Sequence, residues 1–198
     1  MRSQNFDSSF LLYIFAQEIS KLISMFKIIA CVNKKGAIGD KGKLLYSIKS
    51  DLANFKSMTV GNVVIMGRKT FESLPNSKPL PGRVNIVLTH DTEWKVKPTH
   101  HLLILNSIED VKDVCETYFS DKEWFVIGGE TIYNQFLMGD FVDEMRLTIV
   151  DDDTDGDTHF PVFNDKHWKT YHESLVQVDS SGGKETSFVF KILKKINE

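Results

Sequence analysis

Phe125-Val-Ile-Gly-Gly-Glu-Thr-Ile-Tyr133 runs from an unbroken apolar stretch, through paired glycines, into residues with helical spacing. The apolar part, Trp124 to Ile127, has the pattern of a strand buried on both faces, and a helix following it at once is the connection that parallel sheets use. Two glycines at such a turn carry no Cβ, so a phosphate can approach the backbone N–H groups at the positive end of the helix. Tight packing of helix on strand is the competing reason for glycine at this place. No third glycine follows at the offset of the dinucleotide fingerprint.

Outward from this turn the same design recurs. Val64-Ile-Met-Gly67-Arg68-Lys69-Thr70 is again strand, glycine and helix start, here loaded with two cations that the helix dipole repels and a bound anion would reconcile. A solvated basic turn is the plainer reading, and a P-loop does not fit because Arg68 interrupts the motif and Gly61 has the wrong offset. Lys27 to Val32, Val84 to Leu88 and Leu102 to Leu105 supply further short apolar runs. Helical patterns lie at Ser50 to Thr59, Lys69 to Ser73 and Ser107 to Phe119, with Ser50 and Ser107 as expected N-caps. Alternating βα units predict an α/β fold on a mostly parallel sheet. The C-terminal third differs: Glu144 to Val150, Thr170 to Val178 and Thr186 to Leu193 are strand-like without intervening helices. The turn Asp179 to Gly183 predicts a hairpin that adds antiparallel structure at the sheet edge.

The 198 residues, 41% hydrophobic and 26% charged, suffice for one core and not for two ordinary domains. A net charge of -3 argues against nucleic-acid and membrane-surface partners. Two cysteines, Cys31 and Cys115, match no metal spacing and fit a reducing, cytoplasmic address. Residues 1–24 form an N-terminal extension whose apolar run, Phe10 to Ala16, is too short to span a bilayer and lacks a cleavage site. Leu11, Phe15 and Leu22 have the spacing of an amphipathic helix. Met25, just before the first strand, opens the main domain, residues 25–198.

Two polar features need weighing. Asp151-Asp-Asp-Thr-Asp-Gly-Asp157 matches half of a calcium loop, but Val162 stands where the bidentate Glu belongs, so a solvated loop is expected and no metal. Asp51 near a helix start complements the dipole, which explains it structurally. Its neighbours Leu44, Leu45, Tyr46, Leu52 and Phe55 give the other reading, a carboxyl among apolar groups that holds or relays a proton.

These segments together resemble the dihydrofolate reductase family from Phe26 to the C-terminus. The match rests on Ile38-Gly39, Asp51-Leu52-X-X-Phe55-Lys56, Ile65-Met-Gly-Arg-Lys-Thr70, Pro79-Leu-Pro-Gly-Arg83, Ile127-Gly-Gly129 with Tyr133, and Gly156-Asp-Thr-X-Phe160-Pro161, in the family's order. The resemblance implies an eight-stranded, mostly parallel sheet with an antiparallel C-terminal edge strand and helices on both faces. It also implies reduction of 7,8-dihydrofolate by NADPH, by a chain expected to be monomeric. Asp51 is then the pterin-binding carboxylate, bridged by Thr148, with Tyr46 beside it in the catalytic set. Ile29, Cys31, Leu52, Phe55, Leu80 and Ile127 would line the substrate, and Arg83 would take its glutamate carboxylate. The cofactor would lie along Cys31, Ile38, Gly39, Gly67, Arg68, Lys69, Thr70, Ser73, Thr89 and His90. It would continue over the turn formed by Gly128, Gly129, Glu130, Thr131, Ile132 and Tyr133, where Gly128-Gly129 looks like the family's cis peptide. Asp157 matches the residue that bonds the lid loop near Gly39. Leu45-Tyr46 departs from the family's Pro-Trp, which bears on lid dynamics. A pteridine or riboflavin-pathway reductase would share the cofactor motifs without pairing Asp51 with Arg83, and a catalytically silent binding module is the alternative outside enzymes.

Overall fold

The computed structural model describes residues 25–180 and 185–196. The amphipathic pattern before Met25 and residues 181–184 of the expected hairpin turn lie outside the described residues. In chain order the strands are β1 (Phe26–Asn33), β2 (Ala37–Asp40), β3 (Lys43–Leu44), β4 (Val63–Gly67), β5 (Val84–Leu88), β6 (Leu102–Leu105), β7 (Trp124–Val126), β8 (Val142–Val150), β9 (Thr158–His159), β10 (Trp168–Glu173), β11 (Gln177–Asp179) and β12 (Thr186–Lys195). The α-helices are α1 (Lys49–Thr59), α2 (Arg68–Ser73), α3 (Ile108–Tyr118) and α4 (Glu130–Met138).

The main sheet runs β10-β12-β8-β1-β7-β4-β5-β6, and β11 also pairs with β12. From β8 to β6 every neighbouring pair is parallel, whereas β12 is antiparallel to β8, β10 and β11. The sheet is therefore eight positions wide, and its antiparallel edge strand comes from the C-terminal third: it is β10, with β12 one position inside it. The ten-residue β12 has strands on both sides, β8 on one and, on the other, an outer position shared by β10 and β11. The run from Thr170 to Val178, expected as one strand, is broken after Glu173, where the Ser174 hydroxyl accepts the Phe190 N–H at 3.0 Å, and pairing resumes at Gln177. A small separate sheet, β3-β2-β9, stands over one end.

Period-two alternation places the helices. Ile28, Ala30 and Val32 of β1 join Val111 and Cys115 of α3 and Ile132, Tyr133 and Phe136 of α4 in one core layer. Ile29 joins Val64, Met66, Phe71 and Phe125 in a layer on the opposite face, against which Phe55 and Met58 of α1 pack. The central strands are fully buried from Val63 to Met66, as the unbroken apolar run requires. Ser107 caps α3, accepting the Asp110 N–H at 3.0 Å. Ser50 does not cap α1: the helix begins at Lys49 with Ile48 as N-cap and no side-chain bond there. Ile48 is buried with Val150 and Phe188, so packing, and not a hydroxyl, sets the entry of this helix.

Candidate active site

A cavity of about 980 Å³ opens along the ends of β1, β4 and β5 and the starts of α2, α3 and α4. It is lined by Cys31, Ile38, Gly39, Gly67, Arg68, Lys69, Thr70, Ser73, Thr89, His90 and Ile127. Gly129, Glu130, Thr131, Ile132 and Tyr133, the cap and first turn of α4, also line that wall. Gly128 itself stands behind the wall at φ +105°, and a Cβ there would lie 2.9 Å from the Tyr133 ring. The Gly128-Gly129 peptide is cis. Gly67 and Gly129 are the N-caps of α2 and α4, and neither cap makes a side-chain hydrogen bond, so both helix starts turn bare backbone toward the cavity. At its mouth Arg68 pairs with Glu72 at 3.1 Å and Asp91 at 3.7 Å, which offsets the cation at this helix start. A long trench with backbone donors at one stretch and Arg68, Lys69 and His90 at another fits a dinucleotide bearing an extra phosphate.

Next to it lies a smaller apolar floor. Phe55, Leu80 and Ile127 all pack on the layer that contains Ile29. Asp51 projects from the first turn of α1, and the Thr148 hydroxyl, on β8, donates to its Oδ1 at 2.5 Å. Burial raises the Asp51 carboxyl above its ordinary value, and the Thr148 bond partly opposes the rise. Burial and the Asp51 charge together push the Cys31 thiol up, so this sulfur stays protonated. Tyr133 donates to the Ile29 carbonyl at 2.9 Å and, fully buried, is held neutral in the same way. Leu52 is 41% exposed on α1.

Arg83 is buried, its Nη1 donating to Thr59 Oγ1 at 3.1 Å and its Nε to the Pro81 carbonyl at 3.1 Å. Its guanidinium lies 5.8 Å from the Phe55 ring centroid. Burial lowers its pKa, and two bonds leave part of a five-donor fork for an anion. The loop carrying Leu80 and Arg83 is held by Asn85, which accepts from Leu80 N at 2.8 Å and donates to the carbonyls of Leu80 and Arg83 at 3.0 and 3.1 Å. Asn85 is not among the residues the sequence singles out, although an amide inside the apolar run Val84 to Leu88 is a signal, and here it is fully buried.

The segment that the resemblance assigns to a lid lies in the small sheet β3-β2-β9 and its connections. Asp157 Oδ2 accepts from Lys41 N at 2.8 Å, and Asp157 N donates to the Gly39 carbonyl at 3.1 Å. Tyr46 differs from its expected place in the catalytic set. Its hydroxyl donates to Asp152 Oδ2 at 2.9 Å and accepts from Asn33 Nδ2 at 3.0 Å, so it faces the β8–β9 loop and not Asp51. Sequence reasoning also missed Lys43, Leu44 and residues 106–109, which complete the cavity wall. Among the described residues no group of His, Cys, Asp and Glu is placed to hold a metal ion.

Comparison with known proteins bears on this geometry. The family model for dihydrofolate reductase matches residues 25–195. A dihydrofolate reductase of Bacillus subtilis (strain 168) is 36% identical over 147 residues, 73% of this chain and 80% of its own length. One from Staphylococcus aureus is 33% identical over 158 residues, 80% of this chain and 91% of its own. Among solved structures, dihydrofolate reductase from Enterococcus faecalis complexed with NADP(H) and RAB-propyl superposes with a TM-score of 0.74 at 25% identity, covering 87% of this chain and 97% of that one.

Proposed function

The chain belongs to the dihydrofolate reductase family and reduces 7,8-dihydrofolate with NADPH, and from that premise we propose how its own residues divide the work. The observation that carries the assignment is the half-buried Asp51 carboxylate, hydrogen-bonded to Thr148, beside an apolar floor that ends at the buried Arg83 guanidinium. Ionised, Asp51 is an acceptor for the pterin's N3–H and 2-amino group, and Thr148 fixes the carboxylate's rotamer. With a carboxyl whose affinity for protons is raised by burial, the site favours the pterin protonated at N5, the atom that gains a proton as C6 is reduced.

The cofactor, bound in the adjoining cavity, supplies the hydride for C6. Arg68, Lys69 and His90 would hold its extra phosphate, and Thr70 with the α4 start, Glu130 and Thr131, its pyrophosphate. Arg83 meets the glutamate α-carboxylate bidentately at the far end of the floor, while Ile29, Phe55 and Leu80 exclude water between. The lid segment from Ile38 to Leu44 closes over the reacting rings. A cytoplasmic, monomeric protein whose activity resides in residues 25–198 completes the reading. The two free cysteines, Cys31 and Cys115, fit the reducing address; among the described residues no helix is long and apolar enough to cross a membrane.

Parallel turnover of dihydrofolate and of a dihydropterin lacking the glutamate tail tests the division of roles. A KM advantage for dihydrofolate that vanishes in Arg83→Leu is the expected outcome. Equal KM values for both substrates in the parent would favour a pteridine reductase and remove Arg83 from the site.

A further inference from the structure

Three segments meet at one buried amide beyond the substrate floor. Asn33, 3% exposed at the end of β1, accepts at Oδ1 from Lys35 N at 3.0 Å and Ala37 N at 2.9 Å, which fixes the entry to the lid. Its Nδ2 donates to Tyr46 Oη at 3.0 Å and to the Thr154 carbonyl at 2.7 Å. Tyr46, at the exit of the lid, donates onward to Asp152 Oδ2, which also accepts from Thr154 Oγ1 at 2.7 Å. The bonds close a ring: Asn33, Tyr46, Asp152, Thr154 and back to Asn33. Every hydrogen-bonding position of the Asn33 amide is used.

The ring of Tyr46 packs on the cluster of Ile48, Val150 and Phe188, together with Cys31, so its hydroxyl has a fixed direction. Burial pushes the phenol up to about 12, and it therefore remains a donor throughout the physiological range. Between the two anchored ends lie Ile38, Gly39, Gly42, Lys43 and Leu44, all on the wall of the large cavity. Asp157 holds the middle of this segment at Lys41 N. Without the Tyr46 bonds, the exit of the lid keeps its short β3 pairing to β2 and the Leu45 N bond to the Ile38 carbonyl, both internal to the lid.

We propose that Tyr46 is a positioning residue: its hydroxyl, shared between Asn33 and Asp152, fastens the exit of the lid to the β8–β9 loop and holds the lid in its closed place over the cofactor cavity. It acts through lid closure and not on the pterin or on Asp51. The inference rests on the reductase reading given above. Because cofactor affinity is measured by binding, failure of that reading, which would show as absent dihydrofolate turnover, is distinct from failure of this one.

The test uses the full chain with Tyr46→Phe, Asp152→Ala and the double variant. Three quantities are measured: NADPH affinity by titration calorimetry, the single-turnover hydride rate across pH, and melting temperature. A hydrogen bond to a carboxylate bears on closure strongly enough that Tyr46→Phe should weaken NADPH binding and slow the hydride step by about tenfold each. The midpoint of the hydride step's pH dependence should stay where the parent has it. Asp152→Ala should reproduce both losses, and the double variant should add little to either. Three results would overturn the proposal: a moved pH midpoint, which makes the hydroxyl part of the proton chemistry; a lowered melting temperature with affinity and hydride rate intact; or losses that add in full across the two sites.

Discussion

Replacing Asp51 by Asn separates the chemistry of this carboxyl from its place at a helix start. The amide has nearly the same volume, and its Oδ1 still accepts from Thr148, so the 2.5 Å contact between α1 and β8 has a successor. What is lost is the ability to hold a charge opposite the pterin and to favour its protonated form. Positioned proton transfer contributes roughly 10²–10⁴-fold, so turnover at neutral pH should fall by about that factor and recover in part as pH drops and solution supplies the proton. Stability moves the other way. Burial raises the folded-state pKa of Asp51 above its unfolded value, so the native state binds the proton more tightly. Stability from this group is then highest below the unfolded pKa and is lost as pH rises through the folded one. At neutral pH the ionised carboxylate is thus a burden that Asn removes, and each 1 kcal/mol recovered lifts Tm by about 2–4 °C in a chain of this size. The helix-dipole reading predicts the opposite sign, since a carboxylate lost from the first turn of α1 lowers stability. Dihydrofolate-dependent loss of NADPH absorbance and a thermal melt, both followed across pH, decide the matter. Parental turnover at neutral pH together with a lowered Tm would refute the argument.

Four further outcomes follow from the geometry. Arg68→Gln with Lys69→Gln should erase most of the preference for NADPH over NADH, roughly a 100-fold change in the ratio of kcat/KM values, since two charge-assisted contacts to the extra phosphate are lost. If the parent shows no such preference, those two cations do not face it. Arg83→Lys keeps the charge but not the fork, and should raise KM for dihydrofolate roughly 10- to 100-fold with kcat little changed, as steady-state kinetics will show. A Cβ at Gly156 would lie 2.5 Å from the Gly39 carbonyl oxygen, so Gly156→Ala should push the lid outward and weaken NADPH binding by calorimetry, at a cost of roughly 1–3 kcal/mol. A chain beginning at Met25 should fold and turn over as the full chain does; an insoluble or inactive product would assign residues 1–24 a packing role.

What the amino-acid sequence discloses depends on how far away its physical cause lies. β4 and β7 are legible because burial on both faces demands consecutive apolar residues, a signal that needs no knowledge of the partner strand. The place of β12 is not, because ten alternating residues pair equally well at an edge or between two neighbours, and only the sheet decides. The lid strands β2, β3 and β9, of two to four residues each, carry no period long enough to read. In the site the same rule applies. Gly67, Gly129 and the cations beside Gly67 declare a trench locally. Asp51 presents a choice between dipole and chemistry, and its Thr148 partner, 97 positions away, is a contact that no local pattern announces.

Tyr46 is the sharpest case. As a residue type it offers an aromatic body and a donor, which suits a place beside the pterin, but hydrogen bonds are satisfied where acceptors are, and its acceptor is Asp152, 106 positions on. The acidic run that contains Asp152 looks like a solvated loop in isolation because its purpose lies in other segments: Asp157 takes the middle of the lid and Asp152 its exit. Carboxylates spaced along one loop can fasten a segment that no apolar core covers, since each bond to an otherwise unpaired backbone or phenolic donor is worth more than the charge repulsion along a solvated loop subtracts. The acidic composition of this stretch is therefore set by the segment it holds, and in the proposed reading the lid's closure rests in part on Tyr46 and Asp152, which do not line the cofactor cavity.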